Sequence, residues 1–128
     1  MMINKEELVS PDACNERGCD YLDEDNYEKA IKEFSRAIDM EPNHAKALYN
    51  RGLAYSCSGN FYFSVDDFDK VIQLDPNHAM AYCNRGVAYF NRGNIDRAIA
   101  DLEAALKIDP NYSFARQNLD IARRKRGW

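Results

Sequence analysis

The sequence has no long apolar run and little proline. No stretch approaches 18 apolar residues, so the sequence predicts no membrane-spanning segment. Residues 1–7 lack the apolar core of a secretory signal, and the default expectation is therefore a cytoplasmic location. The four prolines, with apolar and charged contents of 45% and 30%, are typical of a folded chain and exclude a disordered one.

Patterns for metals, disulfides and catalysis are missing as well. The cysteines at 14, 19, 57 and 83 form no C-x-x-C pair, and their spacings of 5, 38 and 26 match no zinc site. No phosphate-binding loop, nucleophile elbow, H-E-x-x-H helix or paired-acid constellation occurs. The sequence therefore predicts free thiols, no metal, no cofactor and no enzymatic activity. A net charge of −4 also argues against a nucleic-acid partner.

An internal repeat is the strongest feature that the sequence does contain. The segment YNRGLAY at 49–55 returns as CNRGVAY at 83–89, an offset of 34 residues. Pro42, Pro76 and Pro110 share the same spacing. The pattern divides the chain into a lead of 1–10, three units of 11–44, 45–78 and 79–112, and a final segment of 113–128.

Each unit is expected to form two helices. Apolar residues recur every three or four positions in both halves of a unit, as a buried helical stripe requires. Gly59-Asn60 and Gly93-Asn94 end the first helix of units two and three, and the proline ends each second helix. Ser10-Pro11 predicts the start of the first helix. The fold class predicted is all-α, with seven helices.

These positions resemble the tetratricopeptide repeat (TPR) family. The family pattern has a small residue at position 8, tyrosine at 11 and proline at 32, which here are Gly18, Gly52 and Gly86, Tyr21, Tyr55 and Tyr89, and the three prolines. The chain departs from it at position 4, where tryptophan is replaced by Cys14, Leu48 and Tyr82, and at position 7, where leucine is replaced by Arg17, Arg51 and Arg85. The resemblance implies a right-handed α-solenoid of helix-turn-helix repeats.

Residues 113–128 are expected to form a capping helix with a basic tail. Ala115, Leu119 and Ala122 continue the apolar register, whereas Arg116, Asp120 and Arg123 stand where another repeat would pack. The array is therefore expected to stop at three repeats. Arg123 to Arg126 form the basic tail, for which a favourable charge at a helix C-terminus is preferred to contact with an acidic partner, a nucleic acid or a lipid.

The resemblance also implies a concave groove lined by the first helix of each unit. It places there Asn15, Cys19, Lys46, Tyr49, Asn50, Leu53, Met80, Cys83, Asn84, Val87, Phe90, Phe114 and Asn118. The asparagines at 50, 84 and 118 share one position, and asparagine is a mediocre helix former. Their amides either hold the backbone of an extended peptide, as in the asparagine ladder of O-linked N-acetylglucosamine transferase, or bond within the scaffold.

A dicarboxylate clamp for chaperone C-termini is not expected. Its five positions, which in the family carry two asparagines and three cations, are here Asn15, Cys19, Asn50, Met80 and Asn84. Without the cations, charge-assisted bonds to two carboxylates cannot form.

Two other sets of residues leave alternatives open, and the two histidines have a single expected role. The arginines at 17, 51 and 85 either bind an anion or, as we prefer, pair between repeats with acids such as Glu33, Asp67 and Asp101. His44 and His78 are expected to be exposed turn residues. Tyr62 and Phe63 replace charged residues of the other units, so they form either an oligomer contact on the convex side or a local packing contact.

The sequence therefore predicts a non-catalytic scaffold that binds an extended peptide of a protein partner. The chain is expected to be a monomer or a weak homo-oligomer. One alternative is an assembly protein that associates through Tyr62 and Phe63. Another is an accessory module of a larger enzyme complex.

Overall fold

A computed structural model describes residues 9–127, which form seven α-helices and no strand. The helices are α1 (Pro11–Asp23), α2 (Tyr27–Met40), α3 (Ala45–Cys57), α4 (Phe61–Leu74), α5 (Ala79–Asn91), α6 (Ile95–Ile108) and α7 (Ser113–Arg126). The predicted all-α fold with seven helices is confirmed. Most of the lead expected at 1–10 lies outside the described residues.

The helix starts follow local hydrogen-bonding chemistry. The Ser10 hydroxyl accepts from the Ala13 amide at 3.0 Å, with Pro11 at the first helical position, as the sequence predicts. The two histidines also cap helices: Nδ1 of His44 accepts from Ala47, and Nδ1 of His78 accepts from Ala81, both at 3.1 Å.

The interpretation of the histidines as exposed turn residues is therefore wrong. His44 is only 8% exposed, because its ring also bonds through Nε2 to the Asp12 carboxylate at 2.9 Å. His78 is half-buried and packs on the ring of Tyr49, with the ring centres 5.0 Å apart. Histidine at this position thus closes a helix end and ties it to an earlier helix.

Helices pack in chain order, each against the next, as in a solenoid. Alanines at 30, 37, 47, 54, 81, 88, 98 and 105 are fully buried and let the helices approach closely. Gly52 faces the ring of Phe68, and a Cβ there would lie 2.7 Å from Phe68 Cε1. Phe34 and Phe68 are fully buried beside such glycines, so the glycine and the aromatic ring fit each other.

Helix α7 closes the apolar core at the C-terminal end. Ala115, Leu119 and Ala122 are 0–2% exposed and belong to one cluster with Ile99 and Leu102 of α6. The opposite side of α7 carries Arg116 and Asp120, which are exposed. None of the helices in residues 9–127 is both long and apolar enough to cross a bilayer.

The recurring arginines pair with Glu33, Asp67 and Asp101 within a helix pair and not between repeats. Arg51 contacts Asp67 at 2.7 and 2.8 Å, and Arg85 contacts Asp101 at the same two distances. Arg17 contacts Glu33 at 3.1 Å. Since each acid lies on the second helix of the same pair, the expected inter-repeat pairing was wrong in its placement.

A different atom of each guanidinium makes the link between repeats. Nη1 of Arg51 donates to Ser35 at 3.1 Å, and Nη1 of Arg85 donates to Asp69 at 2.8 Å. Ser35 and Asp69 belong to the preceding second helices, α2 and α4. Each of these two arginines therefore fastens three helices.

Candidate functional site

The first helices of the pairs, α1, α3, α5 and α7, share one row of side chains, which we call the A-helix face. It comprises Asn15, Cys19, Lys46, Tyr49, Asn50, Leu53, Met80, Asn84, Val87, Phe90, Phe114, Asn118 and Ile121. Lys46, Met80, Phe114 and Ile121 are exposed, and the others are half-buried. All of these residues except Ile121 belong to the groove that the family resemblance implies.

Asparagine side chains connect successive helices across this face. Nδ2 of Asn50 on α3 donates to Asn15 Oδ1 of α1 at 3.1 Å and lies 3.4 Å from the Cys19 sulfur. Nδ2 of Asn84 on α5 donates to the Tyr49 hydroxyl of α3 at 2.9 Å and to its own helix carbonyl at Met80 at 3.0 Å. The asparagines therefore have a scaffold role.

The amide oxygens remain available to a ligand. Among the described residues, no donor contacts Oδ1 of Asn50 or of Asn84, whereas both amide groups use their N–H donors within the protein. Asn118 follows the same pattern, since its Nδ2 donates to the Phe114 carbonyl at 2.7 Å. Each side chain can thus accept a hydrogen bond from outside while its donors hold it in place.

Tyr49 is the aromatic centre of the face. Its ring packs on Phe68, with the ring centres 5.8 Å apart, and on His78. Burial raises the pKa of the Tyr49 hydroxyl, an effect that the bond from Asn84 partly offsets. The hydroxyl is therefore neutral and serves as a fixed hydrogen-bonding group.

Cys83 does not belong to the A-helix face, which corrects the prediction that it lines the groove. Its side chain is fully buried in the cluster with Leu102 and Leu119. Burial raises its pKa to about 11, and a hydrogen bond from Tyr112 partly offsets this effect. The helices α1, α3 and α7 carry Asn15, Tyr49 and Gln117 at this register.

An apolar pocket lies at the C-terminal end of the face. Its lining residues are Val87, Phe90, Leu102, Asn118 and Ile121. Leu102 of α6 is 1% exposed, and Ile121 of α7 is 48% exposed. Ile121 lies on the same side of α7 as Phe114 and Asn118, at seven and three residues, a spacing that could have revealed it.

A scan of protein-family models decides the family. The model described as Tetratricopeptide repeat matches residues 45–78 and 79–112, and a second model, described as TPR repeat, matches residues 18–59. The chain belongs to the tetratricopeptide repeat family. Proteins of this family generally act as non-catalytic protein-interaction modules.

Solved TPR structures share the fold. The first TPR of Spaghetti (RPAP3), bound to the HSP90 peptide SRMEEVD, superposes with a TM-score of 0.89 at 23% identity over 98% of both chains. The second TPR domain of human RPAP3, in complex with the HSP70 peptide SGPTIEEVD, gives 0.83 at 26% identity over 88% of this chain and 98% of that one. The Sgt2 TPR domain from Aspergillus fumigatus gives 0.85 at 25% identity over 90% and 78%. No curated protein matches the sequence significantly.

The α1 end of the A-helix face carries acidic side chains. Asp12 of α1 is at the register of Lys46, Met80 and Phe114, and its side chain is 89% exposed. Glu16 is exposed at the register of Asn50 and Asn84. Two carboxylates at this end disfavour a ligand that presents a carboxylate there.

The aromatic pair on α4 is exposed, at 68% for Tyr62 and 57% for Phe63. The Arg92 guanidinium lies 3.8 Å from the centre of the Tyr62 ring, and Phe63 packs on Tyr55 with ring centres 5.2 Å apart. Both rings therefore have local contacts and still present a surface. Within residues 9–127, no group of three His, Cys, Asp or Glu side chains could hold a metal ion.

Proposed function

We propose that this TPR array binds an extended peptide segment of a partner protein along the A-helix face. The free Oδ1 atoms of Asn50 and Asn84 on successive helices carry the proposal, because an extended peptide presents backbone N–H groups that such acceptors can bind. Tyr49, Leu53, Val87 and Phe90 supply apolar surface between them for side chains of the peptide.

The mode of binding differs from that of a carboxylate clamp. The human RPAP3 domain holds a peptide that ends in EEVD. In this chain the clamp positions have no lysine or arginine, and Asp12 and Glu16 lie close by in the register. Backbone hydrogen bonds and apolar contacts, not paired carboxylates, are the interactions that these residues can offer.

The test uses a partner segment obtained by affinity capture from native lysate and peptide mapping. Substituting Asn50→Ala and Asn84→Ala together removes two neutral hydrogen bonds worth about 0.5–1.5 kcal/mol each. Affinity should fall by roughly 5- to 150-fold in a fluorescence titration, and the loss should depend little on salt.

The control is Asn77→Ala, since Asn77 lies in an exposed turn before α5. Melting curves should move by only a few degrees in the double variant, because alanine is the better helix former and offsets the lost scaffold bonds. An unchanged affinity in the double variant would contradict the proposal.

A second candidate function is assembly through Tyr62 and Phe63, which the exposure of both rings favours. Light scattering on wild type and on a Tyr62→Ser, Phe63→Ser variant separates the two functions. Concentration-dependent dimers that the variant loses would support assembly, and a wild-type monomer would exclude it.

A further inference from the structure

Apolar surface is concentrated at the α5–α7 end of the A-helix face. Met80, Phe114 and Ile121 are 48–49% exposed there, and Ile121 also lines the pocket between the two helices. At the α1 end the corresponding register has Asp12 and Glu16. The two ends of the face therefore differ in the ligand chemistry that they can accept.

Two basic residues, Arg124 and Lys125, follow Ile121 of the pocket by three and four positions on α7. Phe114, Asn118, Ile121 and Lys125 follow a 4-3-4 spacing, which places them on one side of α7, with Arg124 adjacent. Nε of Arg124 contacts only a carbonyl of its own helix, at Asp120 and 3.4 Å, and Lys125 has no acidic partner among residues 9–127. The next residue, Arg126, is by contrast paired with Asp96 at 2.7 Å.

We propose that this corner is an anchor site for a peptide with an aliphatic residue and nearby carboxylates. The aliphatic side chain enters the pocket of Val87, Phe90, Leu102, Asn118 and Ile121, and the carboxylates meet Arg124 and Lys125. The inference rests on the proposed function, and it names the partner's chemistry and its position on the face.

Geometry supports a close spacing of the two features in the peptide. Ile121 and Lys125 are four residues apart, a rise of about 6 Å along a helix, which two residues of extended chain also span. The carboxylates therefore lie within about two residues of the anchor. Because Asp12 and Glu16 repel carboxylates at the other end, the charge pattern also fixes where along the face the acidic part binds.

Other ligands fit this corner less well. Nucleic acid would need a broad basic surface, but the chain has a net charge of −4 and acids on the same face. A second copy of the chain could present the acids of α1 to Arg124 and Lys125, but residues 12–16 include no leucine, isoleucine or valine for the pocket. Both remain distinct outcomes of the experiment, because neither requires an aliphatic residue next to carboxylates.

The probes are fluorescein-labelled nonapeptides that differ only at defined positions. The reference is Gly-Ser-Glu-Glu-Leu-Glu-Glu-Gly-Ser, which has carboxylates on both sides of one leucine. In the comparison peptides serine replaces leucine, or lysine replaces every glutamate. We expect the reference to bind at least about tenfold more tightly than either one, since burying a leucine is worth about 1.5–3 kcal/mol.

Protein variants locate the site. Ile121→Gln should weaken the reference peptide by about tenfold, whereas Ile108→Gln, at a 37% exposed isoleucine of α6, should change it by less than about twofold. Reversing Arg124 and Lys125 to glutamate should weaken the glutamate peptide and strengthen the lysine peptide. Reversing the exposed Lys32 and Lys107 is the matched charge control.

Four outcomes would overturn the anchor site: no binding of the reference, equal affinity for the lysine peptide, equal losses in the control variants, or binding of a DNA oligonucleotide that competes with the reference. Light scattering that shows wild-type dimers, lost on reversing Arg124 and Lys125, would assign the corner to a second copy. If the captured partner segment depends on Asn50 and Asn84 but not on Ile121, Arg124 or Lys125, the proposed function stands and the anchor site falls.

Discussion

Arg85 links three helices through its polar contacts. It bonds to Asp101 of α6 and to Asp69 of α4, and its guanidinium lies 5.6–5.9 Å from the ring centres of Tyr82 and Tyr89. The side chain of Asp101 is 8% exposed, so its charge depends on this arginine. Burial raises the pKa of Asp101, and the hydrogen bonds from Arg85 partly offset the rise.

Replacing the arginine should therefore destabilise the fold strongly. Arg85→Met leaves a buried carboxylate without its partner, and we expect a loss of about 3 kcal/mol in the free energy of unfolding near pH 7. The double variant Arg85→Met, Asp101→Leu should recover most of that loss, because neither charge is then buried. Urea unfolding followed by circular dichroism measures all three proteins.

The loss should also depend on pH. Without Arg85 the pKa of folded Asp101 rises further above its unfolded value of about 3.9, so the folded state binds more protons than the unfolded state in that window. The free energy of unfolding of Arg85→Met then falls as the pH rises from about 4 through the folded pKa of Asp101. The difference in stability from wild type is therefore smallest at the acid end of this pH range. If Arg85→Met were destabilised equally at acid and at neutral pH, the unpaired Asp101 carboxylate would not be the cause of the loss.

Residue identities at the site could be predicted better than contacts. The spacing of 34 identified Arg51, Asp67 and their equivalents as partners, but spacing alone does not say whether a pair lies within one repeat or between two. The family resemblance placed Cys83 on the binding face, although its side chain is fully buried. A hydrogen bond between two helices, such as that of His44 with Asp12, cannot be recognised from the spacing of residues in the sequence.

At the scale of elements, the turns inside the pairs reach one backbone conformation with different residues. Gly59 and Gly93 both have φ of +84°, and Asp25 has φ of +58° at the same register. A left-handed conformation costs an L-residue about 1–2 kcal/mol, somewhat less for aspartate. The first turn therefore carries strain that the other two avoid.

Removing a glycine from one of these turns and adding one to another should change the free energy of unfolding in opposite directions. Gly93→Ala should lower the free energy of unfolding by about 1 kcal/mol, because nothing lies within 4 Å of the added Cβ and only the backbone opposes it. Asp25→Gly should raise it by about 0.5 kcal/mol. Thermal unfolding of both variants decides the matter, and a destabilised Asp25→Gly protein would show that the contact from Tyr27 to Asp25 matters more than backbone strain.

The helices could be predicted because residues within or next to each helix mark its course and its ends. Apolar spacing, the Gly-Asn breaks and the prolines predict helices, and the structure has them. The first turn has no glycine, and there Asn26 supplies the cap through a bond to the Lys29 amide. Ile121 carries a local signal as well, through its spacing of seven and three residues from Phe114 and Asn118 on α7.

At the scale of the whole molecule, stability is shared between neighbours, because the main contacts of each helix pair within residues 9–127 are with the adjacent pairs. Helix α7 shields the apolar residues of the α5–α6 pair from solvent. Leu119 is 2% exposed in the cluster that also holds Leu102 and Leu106. A defect at this end therefore exposes the core of the final pair directly.

Leu119→Ala should lower the free energy of unfolding by about 3 kcal/mol. Ile121→Ala, on the exposed side of the same helix, should cost less than about 1 kcal/mol and is the matched control. Removing residues 113–128 should act in the same direction with a larger effect. Calorimetric melting curves give the comparison, and an unaltered melting temperature for Leu119→Ala would refute the capping role of α7.

The arginine bonds between repeats also determine how further repeats can be added to the array. Ser35 and Asp69 receive the guanidiniums of the following pair, and Glu103 stands exposed at the same register of α6. Helix α7 has Leu119 where an arginine would stand. A duplicated 34-residue segment inserted before residue 113 would bring its own arginine to Glu103 and a fresh acid for the next copy. Gene duplication can therefore lengthen this array one unit at a time, because each new unit contains both the arginine that bonds to the preceding unit and the acid that accepts the next arginine.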